Sequence, residues 1–99
     1  MIEVAKVSEL RRDGRKLIEI NNKKIVLIFL SGEVIAIDAI CPHQGGPLYQ
    51  GSIEDKEITC PSHSFSFDLD TGNCINLPGF KVHKYKTQLD KERVMIEIN

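Results

Sequence analysis

The chain has 99 residues, of which 41% are apolar and 27% charged, a composition that supports one small folded domain and excludes a disordered one. Thirteen basic residues against fourteen acidic ones leave a net charge of −1, which excludes a strongly basic binder of nucleic-acid phosphates. The longest apolar run, Ile25 to Leu30, is six residues, far short of the about twenty a membrane helix needs. The start carries Glu3 and no apolar signal core, so a cytoplasmic chain is expected.

Taken in order, Ser8 to Arg15 has the only helix-like charge spacing, and Gly14 ends it quickly. From there the periodicity is that of strands. Leu17 to Ile20 runs into Asn21-Asn22, a pair that tolerates left-handed backbone and suits a hairpin turn. Lys24 to Leu30 is apolar on both faces, as a central strand covered on each side should be. Ser31-Gly32-Glu33 turns the chain into Val34 to Ala39, and the three segments read as a meander.

Between Ile40 and Gly51 the pattern breaks at Cys41-Pro42-His43-Gln44-Gly45-Gly46-Pro47, where prolines and adjacent glycines predict a tight loop. Glu57 to Cys60 is a short strand, followed by a second loop, Pro61-Ser62-His63-Ser64. Phe65, Phe67 and Leu69 then alternate with Ser66, Asp68 and Asp70, a half-buried strand. After turns at Asp70 to Asn73 and around Pro78-Gly79, Lys84 to Leu89 and Arg93 to Ile98 form a hairpin about Asp90-Lys91-Glu92. Val94, Ile96 and Ile98 fall on one of its faces. The fold class is all-β, with an irregular centre between about 39 and 77.

Three cysteines cannot all pair, so the chemistry is sought in metal ligation rather than in a disulfide framework. Cys41 and His43 sit two apart on the first loop; Cys60 and His63 sit three apart on the second, with sixteen residues between His43 and Cys60. Each loop thus offers one soft thiolate and one borderline imidazole. A zinc finger usually groups its cysteines on one arm and its histidines on the other. Mixed arms suit a two-metal centre in which each loop sends Cys to one iron and His to the other. A structural zinc site is the alternative.

At this point the sequence closely resembles the Rieske family, whose pattern is C-x-H followed at a distance by C-x-x-H. Here it reads Cys41-Pro42-His43 and Cys60-Pro61-Ser62-His63, flanked by Gly45-Gly46-Pro47-Leu48, Phe67-Asp68 and Thr71-Gly72. The resemblance implies a single Rieske domain over 1–99, built of antiparallel sheets, with a cluster-binding part at about 39–77 and a basal β part at 1–38 and 78–99. It implies one [2Fe-2S] cluster, Cys41 and Cys60 on the inner iron, His43 and His63 on the outer. Leu77-Pro78-Gly79 is similar to the loop that covers the cluster, although Lys81 stands where a second proline is often found.

Subfamily markers narrow the expectation. The Rieske proteins of quinol-oxidising complexes carry an extra disulfide, and the matching positions here are Gly46 and Ser62. They also place hydroxyl donors where this chain has Phe65 and Phe67, so the potential is expected toward the low end of the range of roughly −150 to +300 mV. Dioxygenase ferredoxins often have Trp at the position of Ser62 and Gly at that of Ser64, and this chain has no Trp. The resemblance implies a soluble one-electron carrier, not itself an enzyme, working between a reductase and a terminal enzyme such as an oxygenase, without a small-molecule substrate. A small subunit of a larger oxidoreductase, such as an assimilatory nitrite reductase, is the second reading; a zinc-stabilised interaction domain is the third. Cys74 is expected to be a packed or partly exposed thiol rather than a ligand, and His83 an ordinary surface side chain. Lys81, Lys84 and Lys86 read as a solvated strand face, and Asp68 and Asp70 as outward-facing.

Overall fold

The computed structural model describes residues 1–42, 45–62 and 65–98. Among the described residues, ten strands, one short α-helix and one 3-10 turn follow in order: β1 (Ile2–Lys6), α1 (Val7–Asp13), β2 (Arg15–Ile20), β3 (Lys23–Leu30), β4 (Glu33–Asp38), the 3-10 turn (Leu48–Gln50), β5 (Ser52–Glu54), β6 (Glu57–Thr59), β7 (Ser66–Asp68), β8 (Lys84–Tyr85), β9 (Thr87–Asp90) and β10 (Arg93–Ile96). They form three antiparallel sheets, ordered β1-β10-β9, β2-β3-β4-β8 and β5-β6-β7. The all-β expectation holds.

The middle sheet is covered on both faces, which is why its inner strands are apolar throughout. Ile25 and Leu27 of β3, with Val34 and Ala36 of β4, join a core with Val7, Leu10, Tyr85, Val94 and Ile96. The alternate residues Val26, Ile28, Ile35 and Ile37 point the other way, into a second core with Leu48, Ile58, Phe67, Leu69, Val82 and all three cysteines. Ile25 to Ile28 are at most 1% exposed, so one strand with a side-chain period of two supplies both cores.

Local chemistry sets the turns. Asn21 and Asn22 have φ of 52° and 64°, the left-handed pair that a two-residue hairpin needs. Helix α1 buries Val7 and Leu10, three apart on one face, and stops at Gly14, whose left-handed backbone lets its N–H reach the Leu10 carbonyl at 2.8 Å. At its other end the Glu9 carboxylate accepts the Lys6 N–H. That bond, reinforced by Lys16, holds the Glu9 carboxyl below its ordinary range.

Three features differ from the sequence expectation. The β1 strand was not anticipated, because a bulge between Glu3 and Ala5 breaks its alternation. The β5 strand was missed too, since the turn joining it to β6 is Asp55-Lys56, both left-handed at φ 52° and 62°, and Lys carries no turn signal. The single strand expected over Lys84 to Leu89 is two strands in different sheets. Tyr85 pairs with Ala36 of the middle sheet, whereas Thr87 pairs with Ile96, and the chain changes sheets at Lys86.

Candidate metal centre

Cys41 and Cys60 are each 1% exposed and belong to one apolar cluster beneath the two loops. The three cysteines form no disulfide. Cys41 follows β4 directly: Ala39 N–H donates to the Lys24 carbonyl, so the sheet carries the chain to within two residues of the thiol. The first loop then closes on itself. Cys41 N–H donates to the Gly46 carbonyl at 2.8 Å, and Gly45 N–H donates to the Cys41 carbonyl at 2.9 Å. Gly45 stands at φ 76°, a conformation that favours glycine. On the second loop, Cys60 N–H donates to the Phe65 carbonyl at 2.8 Å, so Pro61 and Ser62 lie inside a backbone-closed turn.

Gly46 is where the loops meet. A Cβ added there would lie 2.9 Å from Cys60 Sγ, 3.0 Å from Ser62 Oγ and 3.1 Å from Ser62 Cβ. Position 46 therefore faces position 62, as the sequence resemblance implies for the pair bridged in the quinol-oxidising proteins, and only glycine leaves the Cys60 sulfur clear. Gly46→Ala is expected to lower iron retention severalfold while the far-UV circular dichroism of the sheets persists; iron content per purified chain checks this.

His43, Ser64 and His63 lie outside the described residues, as does Gln44. Among the described residues no three His, Cys, Asp or Glu side chains gather around one point; the described part of the site is the two thiols. Cys74 is buried at 6% exposure in the same cluster, on a backbone bridge to Phe67, its N–H donating to the Phe80 carbonyl. It is packed there, one of the two placements the sequence reading allows. His83 is exposed, with its ring edge-on to Tyr85 at 4.5 Å between centroids. Tyr85 donates its hydroxyl to Asp38 Oδ1 at 2.5 Å, and burial together with that carboxylate pushes its phenol above the ordinary range. Lys84 is less free than a solvated strand face implies, since its ammonium donates to the Asp70 carbonyl at 2.6 Å.

Phe67 is fully buried and Phe65 partly so, both against the cysteine-containing core. Neither brings a hydroxyl toward sulfur. Sequence reasoning passed over Arg15, whose guanidinium reaches the backbone just after the first loop at Tyr49 and Gly51. No sequence signal marks it, because the contacts span 34 and 36 residues.

The family described as Rieske [2Fe-2S] domain matches residues 1–86. The chain belongs to this family. The Rieske domain is 33% identical over 82 residues to the ferredoxin component of a naphthalene 1,2-dioxygenase/salicylate 5-hydroxylase system of Ralstonia sp, an alignment covering 82% of this chain and 79% of that protein. It is 32% identical over 94 residues to apoptosis-inducing factor 3 of Mus musculus, covering 94% of this chain but only 16% of that longer relative. Its fold superposes with TM-score 0.86 on the ferredoxin of carbazole 1,9a-dioxygenase from Nocardioides aromaticivorans IC177, at 24% identity over 96% of this chain and 94% of that one.

The residues present fit the family's cluster. Two dry thiols lie in one apolar cluster with no disulfide between them, and the glycine beside one leaves space where a side chain would stand.

Proposed function

We propose that this Rieske domain is a one-electron carrier, passing electrons from a reductase to a terminal enzyme such as an oxygenase. The observation that carries the reading is the burial of Cys41 and Cys60, both 1% exposed, in one apolar cluster, on two loops whose sequences match the family's ligand pattern. The likeness to a dioxygenase ferredoxin component, over 82% of this chain and 79% of that protein, supports the choice of partners. The domain spans 1–99 as one unit, acts in the cytoplasm and is not an enzyme by itself.

Cys41 and Cys60 would hold one iron, and His43 and His63 the other. The [2Fe-2S] group, when bound, supplies a reversible one-electron couple. The protein's part is to seal the thiolates from water and to close each loop with backbone hydrogen bonds. Two ferric ions and two sulfides would sum to +2 and the Cys41 and Cys60 thiolates would bring the oxidised site to neutrality, so reduction would add one negative charge beside the buried thiolates. His43 and His63, as ligands, would lose their remaining ring protons more readily in the oxidised than in the reduced state.

Potentiometric titration followed by low-temperature electron paramagnetic resonance tests the reading. The expected result is a Rieske-type signal with a midpoint toward the lower end of the range of roughly −150 to +300 mV, falling with pH at alkaline values. A clearly positive midpoint would overturn the low-potential carrier. Zinc without iron or sulfide would leave a zinc-stabilised interaction domain, and co-elution with a large partner from the native source would make the chain a fixed subunit.

A further inference from the structure

Arg15 opens β2, well before either ligand loop in the chain. Its partly buried Nη1 donates to the Tyr49 carbonyl at 2.8 Å and to the Gly51 carbonyl at 2.7 Å. Each of those residues is in turn fixed to the stem of one ligand loop. Tyr49 N–H donates to the Ala39 carbonyl at 3.0 Å, two residues before Cys41. Gly51 lies so close to Thr59 that a Cβ on it would stand 2.3 Å from the Thr59 carbonyl oxygen, and Thr59 immediately precedes Cys60. One guanidinium thus ties both stems together.

Its charge also has no ion-pair partner among the described residues. The ion pairs of the described residues are Arg12–Asp13, Lys16–Glu9, Lys56–Asp70 and Arg93–Asp90, and Arg15 is in none of them. It spends its donors on backbone carbonyls, where a charged donor makes a stronger bond than a neutral one. A cation held in a partly buried place beside the stems favours whatever state of the site carries more negative charge.

We propose that Arg15 is a positioning residue for the iron–sulfur centre. It sets the relative placement of Cys41 and Cys60 through their loop stems, and its charge favours the reduced state. The inference rests on the cluster reading above; groups that support a metal's ligands without touching the metal are known to alter its affinity and potential.

The test uses the holoprotein and three variants: Arg15→Ala, Arg15→Lys, which keeps the charge and loses the fork, and Arg15→Gln, which keeps an N–H donor and loses the charge. In Arg15→Ala, cluster release to an iron chelator is expected to quicken about tenfold, the equivalent of one charge-assisted hydrogen bond. Its paramagnetic resonance lines should broaden and its midpoint potential fall. Arg15→Lys should return the potential to near the wild-type value, and Arg15→Gln should leave it low. If Arg15→Ala does not fold, the Lys and Gln variants carry the comparison. Variants that lose only thermal stability, with the resonance and potential of the wild type, overturn the proposal. A wild-type protein without a Rieske signal overturns the cluster reading first, and the positioning role with it.

Discussion

Cys60→Ser is expected to abolish the iron centre, with bound iron and sulfide falling at least tenfold and the visible absorbance lost. Cys60 is 1% exposed inside an apolar core, so bulk water does not readily reach the place of its sulfur. A serine hydroxyl is a harder and far weaker acid than a thiol, and a buried alkoxide is a poor substitute for thiolate on iron. Cys74→Ser is the matched control, since Cys74 is 6% exposed in the same core and lies outside both ligand pairs. It should keep its iron and lose about 1–3 kcal/mol of stability for burying a hydroxyl. Iron and sulfide assays on both proteins, beside a urea melt, separate the roles. Equal iron loss in the two variants would falsify the assignment of ligands.

Gly51→Ala should be the most damaging single substitution outside the ligands, although it adds one methyl group. The backbone of Gly51, at φ −68° and ψ 157°, is open to any residue; the obstacle is space. The new Cβ would stand 2.3 Å from the Thr59 oxygen, 3.0 Å from the Leu48 oxygen and 3.0 Å from the Thr59 carbonyl carbon. All three are main-chain atoms, so no side chain can swing aside. Relief requires β5 and β6 to part where Ser52 faces Thr59, and that movement carries Cys60 with it. Overpacking of this kind costs about 1–3 kcal/mol and sometimes more, against a total of about 5–15 kcal/mol for a domain. A fall in the thermal midpoint of roughly 5–20 °C is expected, with iron retention falling in parallel. A midpoint within two or three degrees of wild type would show that the strands separate at little cost. The contrast is Gly32, where an added Cβ meets nothing within 4 Å and only the φ of +82° resists.

Much of the fold is legible because local rules and global burial agree. The run from Ile25 to Ile28 is buried on both faces, and Asn21-Asn22 forms the left-handed turn its side chains tolerate. Phe67 and Leu69 go inward as their alternation requires. Illegible segments have a physical cause in each case. A bulge shifts β1 out of its period, and the Asp55-Lys56 turn uses a residue with no turn preference. The break at Lys86 arises because Tyr85 and Thr87 find partners in different sheets, Ala36 and Ile96, and partner choice leaves no mark in a strand's own pattern.

By itself the sequence determined the spacing of its cysteines and histidines and the glycine-rich loops, because bonding preferences and backbone limits act over a few residues. The resemblance those motifs carry implied the two-loop centre and its antiparallel setting, and the sequence places no hydroxyl at Phe65 and Phe67. Tertiary structure alone decided how the loops stand against one another. It placed Gly46 over the Cys60 sulfur, pressed Gly51 onto Thr59, and brought Arg15 to the carbonyls of Tyr49 and Gly51. Those contacts join residues far apart in the chain, and only the packing of whole sheets determines which distant backbones meet.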